Sequence, residues 1–458
     1  MKYLSCILLM AMFGFNYASG GTLVMVTSDY QTGNTAVYDT ESAVLTDNVL
    51  PVFQDSRVRT DGTYLYILEG FGADAVSKYS LSPENGLKRV YQYSVGAKSN
   101  PHDIVFAGSK AYLLLYGTDK IWVVDPGAAT EGSFKKGEID IARWADGDGS
   151  PEAETGFVYN GMVYVILQRY DMNQFTAGTA ILIRIDPSTD TIVDMDKTAE
   201  GIQGIELSIK NPQSCSLVGS MLYLAGTTYG VSDEGIMKLD LNNPSGAQEK
   251  IISETAAGGF ISGVSTFYAG YGLVFMLDEN YNTVARAFNY ENGTPGERLP
   301  VPNAGGGAVM VDGLLYVGSR DFEKPGLYIL SPFTDENPPM VKYYPTELPP
   351  YSMIYVGENT YTDVASANNA PEPFVVSSPY PNPFNPFTTV SFTLSQPNTV
   401  RVDVFNTAGQ LVDTLVNSFM YAGSHAVVWN AVSMSSGVYY IRVTDGKFAR
   451  TVRATLMK

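Results

Sequence analysis

The chain has 458 residues, 45% of them hydrophobic and only 17% charged, which excludes a disordered protein and exceeds one ordinary domain. The formal net charge is −18, and residues 371–458 carry six Lys/Arg against four Asp/Glu, so the acidity lies entirely in what precedes them. An acidic body repels phosphate backbones and anionic lipid, which excludes nucleic acid as a partner and suits solubility outside the cell.

Residues 1–20 read as a secretory signal peptide, with Lys2, an apolar stretch from Leu4 to Phe15, and the small residues Ala18-Ser19-Gly20. Cys6 does not follow that apolar stretch, so lipidation is not expected. No later stretch approaches the roughly 20 apolar residues needed to span a bilayer. Removing the signal leaves Cys215 as the sole cysteine; it cannot form an internal disulfide and reads as an inert buried residue.

Residues 21–365 repeat one pattern: a turn, a strand around Tyr, a polar gap and a second strand. Asp61-Gly62-Thr63-Tyr64-Leu65-Tyr66-Ile67 and Asn160-Gly161-Met162-Val163-Tyr164-Val165 are two copies. Anchors at 25, 66, 112, 164, 223, 275 and 316 recur at a mean of about 48 residues, the period of four-stranded β-propeller blades. Pro350–Tyr361 matches the inner strand and anchor at Pro101–Tyr112, whereas the first copy lacks an inner strand. Pairing the two incomplete ends would close a ring of seven blades, with eight as the alternative. The repeat resembles the Tyr-Val-Thr-Asn and quinoprotein-like families of bacterial propellers, which implies architecture and no activity.

Residues 366–376 form a small, polar, Pro-containing linker, and 377–458 a separate module. Its strands are expected near 388–394, 399–405, 410–416, 425–430, 437–444 and 447–456, a small Ig-like β-sandwich with Trp429 as core anchor. Pro381-Asn382-Pro383-Phe384, the Asn406-x-x-Gly409 turn, Gly423 and Trp429 on one strand, and Gly437 opening another resemble the C-terminal sorting domain of the type IX secretion system and the related Ig-like module of flagellar hook-cap proteins. The resemblance implies the outer-membrane secretion machinery as a partner. It also implies a secreted or surface-attached protein, and removal of the module or its anchoring to lipopolysaccharide after export.

Candidate site residues are few. His102 follows Asn100-Pro101 at the start of an inner strand and can look into the central channel; a structural histidine is the competing reading. With His425 in the C-terminal module, no second histidine is at hand for a two-histidine metal site or a histidine dyad. Asp146, Asp148 and Glu152 alternate with glycines and could fold oxygens around Ca²⁺, although EF-hand spacing fails and an acidic loop without metal competes. No other cofactor is expected, because Walker, Gly-x-Gly-x-x-Gly and Gly-x-Ser-x-Gly patterns do not occur. The loop aromatics Tyr170, Phe175, Tyr229 and Tyr281 are candidates for a binding face.

Two functions follow. The first is a non-enzymatic secreted or surface propeller that binds a protein, peptide or glycan. The second is a secreted hydrolase or lyase acting on polysaccharide or lactone through channel carboxylates, with or without Ca²⁺.

Overall fold

A computed structural model of the chain describes residues 21–82, 86–196, 198, 200–267, 270–280, 282–311, 314–330, 340–357, 374–376, 379, 381–394, 398–407, 410–420, 423–444 and 449–458. The expected signal peptide and most of the expected linker lie outside the described residues.

Seven four-stranded antiparallel units follow one another, as the shorter blade count requires. Blade one runs Ser56–Thr60, Tyr64–Glu69, Ala75–Ser82 and Gly86–Ser94. The first strands of blades two to six are Pro101–Ala107, Ala153–Tyr159, Pro212–Val218, Phe260–Thr266 and Ala304–Val311. Blade three gains a fifth strand, Ile205–Lys210, beside Thr179–Asp186. Pro350–Val356 pairs antiparallel with Thr22–Ser28 and supplies the first strand of blade seven, so the two ends of the body close the ring. First strands of neighbouring blades pack against one another around most of the circle, which places them innermost.

The second strand of each blade is covered on both faces, which explains runs such as Tyr-Leu-Tyr-Ile-Leu at 64–68 and Met-Val-Tyr-Val-Ile-Leu at 162–167. Seven apolar clusters fill the gaps between successive blades. The anchor tyrosines Tyr66, Tyr112, Tyr164, Tyr223 and Tyr316 are buried in these layers, as expected of packing residues. Tyr66 satisfies its hydroxyl on Asp61 Oδ2 at 2.8 Å, and Tyr112 bonds to Asp190.

The C-terminal module is a sandwich of two sheets. One holds Phe374–Val376, Phe387–Leu394 and Gly423–Asn430; the other holds Leu411–Met420, Asn398–Asn406, Gly437–Thr444 and Ala449–Leu456. Residues 374–376, at the end of the expected linker, are therefore a strand paired with 392–394. Val376 packs against the core of the sandwich. Val390, Phe392 and Trp429 from the first sheet meet Val402, Val404 and Ile441 from the second in one core.

Candidate functional site

The first strands share an irregularity that creates the site. In blade two, Pro101 and Asp103 pair with consecutive residues, and His102 is skipped. The same skip occurs at Glu154 in blade three, Gln213 in blade four, Ser262 in blade five, Gly305–Gly307 in blade six and Tyr351 in blade seven. Only blade one keeps regular register, with Arg57 at the matching place. A bulge adds one unpaired residue and re-aims its side chain. Repeated around the ring, it brings Glu154, Gln213, Ser262, Gly305–Gly307 and Tyr351 to the wall of one cavity.

These residues surround a cavity of about 700 Å³, lined among others by Arg57, Glu154, Gln213, Ser262, Arg320 and Tyr351. Arg57 Nη1 donates to Glu154 Oε1 at 3.0 Å, and His102, buried and not itself part of the cavity wall, holds Nδ1 2.7 Å from Glu154 Oε2. The imidazole stacks on Tyr116 with ring centroids 4.1 Å apart. Burial alone would push the Glu154 carboxyl up, but Arg57 and then His102 hold it down to about 2. For His102, burial and the Arg57 charge outweigh Glu154 and lower its pKa. The imidazole is thus neutral near pH 7, with its Nδ1–H donating to the ionised Glu154. Arg59, the next cation, donates to Asp103 Oδ1 at 2.6 Å.

Arg320 differs. Its guanidinium sits 5.2 Å from the ring centres of both Tyr30 and Tyr351, and among the described residues no carboxylate lies within ion-pair distance of it. Gly305 makes room for it, since a Cβ there would come within 2.7 Å of Arg320 Cδ. Tyr351 bonds to Asp55 Oδ1 at 2.8 Å and has its hydroxyl pKa pushed up to about 12, chiefly by burial. Three arginines against one carboxylate line the cavity of a protein whose net charge is −18.

Antiparallel geometry puts the start of each first strand at the same end of the disc as the loop after each second strand. Those loops carry exposed Tyr30, Phe71, Phe175, Tyr229, Val231 and Phe322. Tyr170 and Tyr229 reach the cavity wall, while Phe175 stands 71% exposed on the short hairpin Tyr170–Ala177. Tyr281 lies outside the described residues. Cys215, expected to be buried and inert, is half-buried and lines the cavity, because its strand is innermost.

The acidic loop forms a second constellation. One carboxylate oxygen from each of Asp146, Asp148 and Glu152 lies within 4.8 Å of the others. Burial, then the Asp146 and Asp148 charges, push the Glu152 carboxyl up to about 9.

In the C-terminal module, Asn382 clamps the last strand. Its Nδ2 donates to Arg453 O at 2.8 Å and its Oδ1 accepts from Thr455 N at 2.7 Å. Thr388 Oγ1 donates to Pro381 O at 2.7 Å, and buried Phe384 packs 5.3 Å from Trp429. Trp429 Nε1 donates to Asp413 Oδ2 at 3.2 Å. Gly423 and Gly437 open their strands opposite Leu394 and Leu456; Gly409 lies outside the described residues, although Asn406 and Gln410 close its turn with backbone and side-chain bonds. Residues 378–456 match the family described as the secretion system C-terminal sorting domain.

The C-terminal module is a type IX secretion sorting domain. The interactions of Asn382 and Phe384 explain its signature: the segment is the staple that joins the first strands of the sorting domain to its last. Among the described residues, no helix is long and apolar enough to cross a membrane.

No curated protein matches the chain by sequence. Similar solved structures include a Lactobacillus plantarum protein, 13% identical, with a TM-score of 0.52 over 73% of this chain and 99% of that one. A candidate 6-phosphogluconolactonase from Bacteroides fragilis is 15% identical, with a TM-score of 0.51 over 75% and 99%. Its counterpart from Bacteroides uniformis is 14% identical, with a TM-score of 0.50 over 74% and 100%. At such identities the likeness establishes the propeller fold alone.

Proposed function

We propose that the chain is an exported propeller that binds an acidic saccharide at the mouth of its channel. Arg320 carries this reading. Its charge is held in an aromatic-walled cavity without a carboxylate partner, while Arg57 and Arg59 are already matched to Glu154 and Asp103. A ligand carboxylate or sulfate there would gain charge-assisted, two-pronged hydrogen bonds in a partly desolvated setting. The lining residues Gln168, Gln213, Ser214 and Ser262 suit sugar hydroxyls, and the exposed aromatic rim suits the apolar faces of sugar rings.

The test is calorimetric titration of the mature protein with an oligogalacturonate, a neutral oligosaccharide of equal length and an acidic peptide. The uronate should bind, and Arg320→Gln should weaken it by about tenfold or more. Equal affinity for the neutral sugar would sink the role of Arg320, and binding of the peptide alone would move the ligand to another class. Fractionation and mass-mapping of the C-terminus would show whether the sorting domain is removed or retained at the surface.

A second reading, hydrolysis of a lactone, is favoured by one observation. Neutral His102 holds its Nδ1 proton toward Glu154, which leaves Nε2 with the lone pair of a general base. The 6-phosphogluconolactonase name of two similar structures suggests the substrate to try. Turnover of 6-phosphogluconolactone that disappears in His102→Gln would support it; no turnover by the wild type would dismiss it.

A further inference from the structure

We propose that Asp146, Asp148 and Glu152 form a Ca²⁺ site that fastens the hairpin Tyr170–Ala177 to the rim of the channel. One oxygen from each of the three carboxylates lies within 4.8 Å of the others, and two of the residues stand out. Glu152 is only 1% exposed, and its Oε1 has no hydrogen-bond partner; buried Asp146 Oδ2 has none either. A buried carboxylate oxygen without a donor is costly, and a hard divalent cation satisfies several at once.

Comparison between blades shows why Glu152 is unusual. In blades two, four and six the residue two places before the bulge adopts a left-handed backbone, with φ of 46° at Asn100, 48° at Asn211 and 43° at Asn303. Asparagine tolerates that conformation, and each of these side chains pins a loop that follows a second strand. Asn100 Oδ1 accepts from Phe71 N at 3.2 Å, Asn211 Nδ2 donates to Thr227 O at 2.7 Å, and Asn303 Nδ2 donates to Asp321 Oδ2 at 2.8 Å. Blade three puts Glu152 there, with φ of 50°.

Glu152 does the same pinning through Oε2, which accepts from Tyr170 N at 2.9 Å. Asparagine would have sufficed for that bond. The carboxyl and its idle Oε1 need another reason, and the group stands beside the carboxylates of Asp146 and Asp148. Asp148 repeats the arrangement: its Oδ2 accepts from Met172 N at 2.8 Å, two residues along the same hairpin. Tyr170 and Met172 both line the cavity. Gly147 lets Asp171 close over the loop, since a Cβ at 147 would stand 2.5 Å from Asp171 Oδ2. Backbone carbonyls and water would complete the six to eight oxygens that Ca²⁺ takes.

Chelator-treated full-length protein should bind one Ca²⁺, with Kd of about 10⁻⁴–10⁻³ M as in extracellular modules. Binding should raise Tm and slow proteolytic cutting of the hairpin, readouts that do not depend on any channel ligand. Tb³⁺ should bind with luminescence sensitised through Trp144, two residues before Asp146. Glu152→Gln and Asp146→Asn should each weaken Ca²⁺ by about tenfold or more. No saturable Ca²⁺ or Tb³⁺ binding by the wild type would overturn the proposal, as would unchanged affinity in both variants. Ca²⁺ binding with unaltered proteolysis of the hairpin would overturn the fastening role. Weaker saccharide binding without Ca²⁺ is expected only if the channel reading above holds.

Discussion

Glu152 and Glu154 are separated by one residue at the opening of blade three, and both are almost wholly buried. Glu154 accepts from Arg57 and His102 and is held down to about 2, whereas Glu152 meets Asp146 and Asp148 and is pushed up to about 9. Equal burial and identical chemistry thus give opposite charge preferences. Depth in the protein sets how much a charge costs, and the neighbours decide whether that cost is met. The bulge sends Glu154 toward the arginine on the axis, while the left-handed residue two places earlier turns into the loop. One backbone irregularity therefore builds two chemically different sites within three residues.

The largest effect should come from removing the cation on the axis. Arg57→Met would leave the buried Glu154 with His102 in place of its permanent cation, a loss of about 3–5 kcal/mol in stability. Adding Glu154→Gln to the same chain should recover much of that loss, because the stranded charge disappears with its partner. Calorimetric melting of the single and double variants checks this. If Arg57→Met melts like the wild type, Glu154 finds another counter-charge and the contrast with Glu152 fails.

How much of this was legible beforehand depended on repetition. The spacing of the anchor tyrosines and the resemblance of Pro350–Val356 to Pro101–Ala107 revealed blades and closure, because each blade solves the same packing problem. The sandwich strands were readable from alternation, except at 374–376, where three residues are too few to show a period. The channel cluster was not readable, since Arg57 and Glu154 lie 97 residues apart and meet only when a ring closes. A usable signal did exist. His102, Glu154, Gln213 and Gly306 each stand ten residues before an anchor, at 112, 164, 223 and 316, and Arg57 stands nine before 66. Stacking the copies in that register exposes a column of polar or small residues where a strand should alternate. For Asp146–Glu152 the carboxylates were visible, but the burial of Glu152 was not, because it depends on the hairpin folding over the loop.

A smaller effect separates the two sites by pH. His102 is faced by Arg57, Glu154 and Tyr116, with Asp55 further out, and its folded pKa lies below 6.5. Below about pH 6.5 the unfolded chain takes up a proton that the folded chain refuses, so the His102 contribution to stability falls as pH drops toward its folded pKa, while Glu152, raised to about 9, contributes the opposite slope over the same range. The slope is at most about 1.4 kcal/mol per pH unit. His102→Gln keeps a donor for Glu154 and should gain stability relative to the wild type as pH falls from 7 to 5, because it lacks this contribution. If His102→Gln loses stability relative to the wild type as pH falls, Glu154 wins over burial and Arg57, and His102 is charged in the fold.

The smallest effect is expected at Glu152 itself, in the presence of chelator. Glutamine preserves an oxygen to accept from Tyr170 and replaces a carboxyl that burial and its acidic neighbours already keep protonated near pH 7, so Glu152→Gln should melt no lower than about 1 kcal/mol below the wild type. The order should reverse once Ca²⁺ is added at many times its Kd, because only the wild type then gains the linkage term. A loss above about 2 kcal/mol in chelator would show that the carboxylate already has a partner in the folded protein. Glu152 would then resemble Glu154 after all, and the difference between the two residues would vanish.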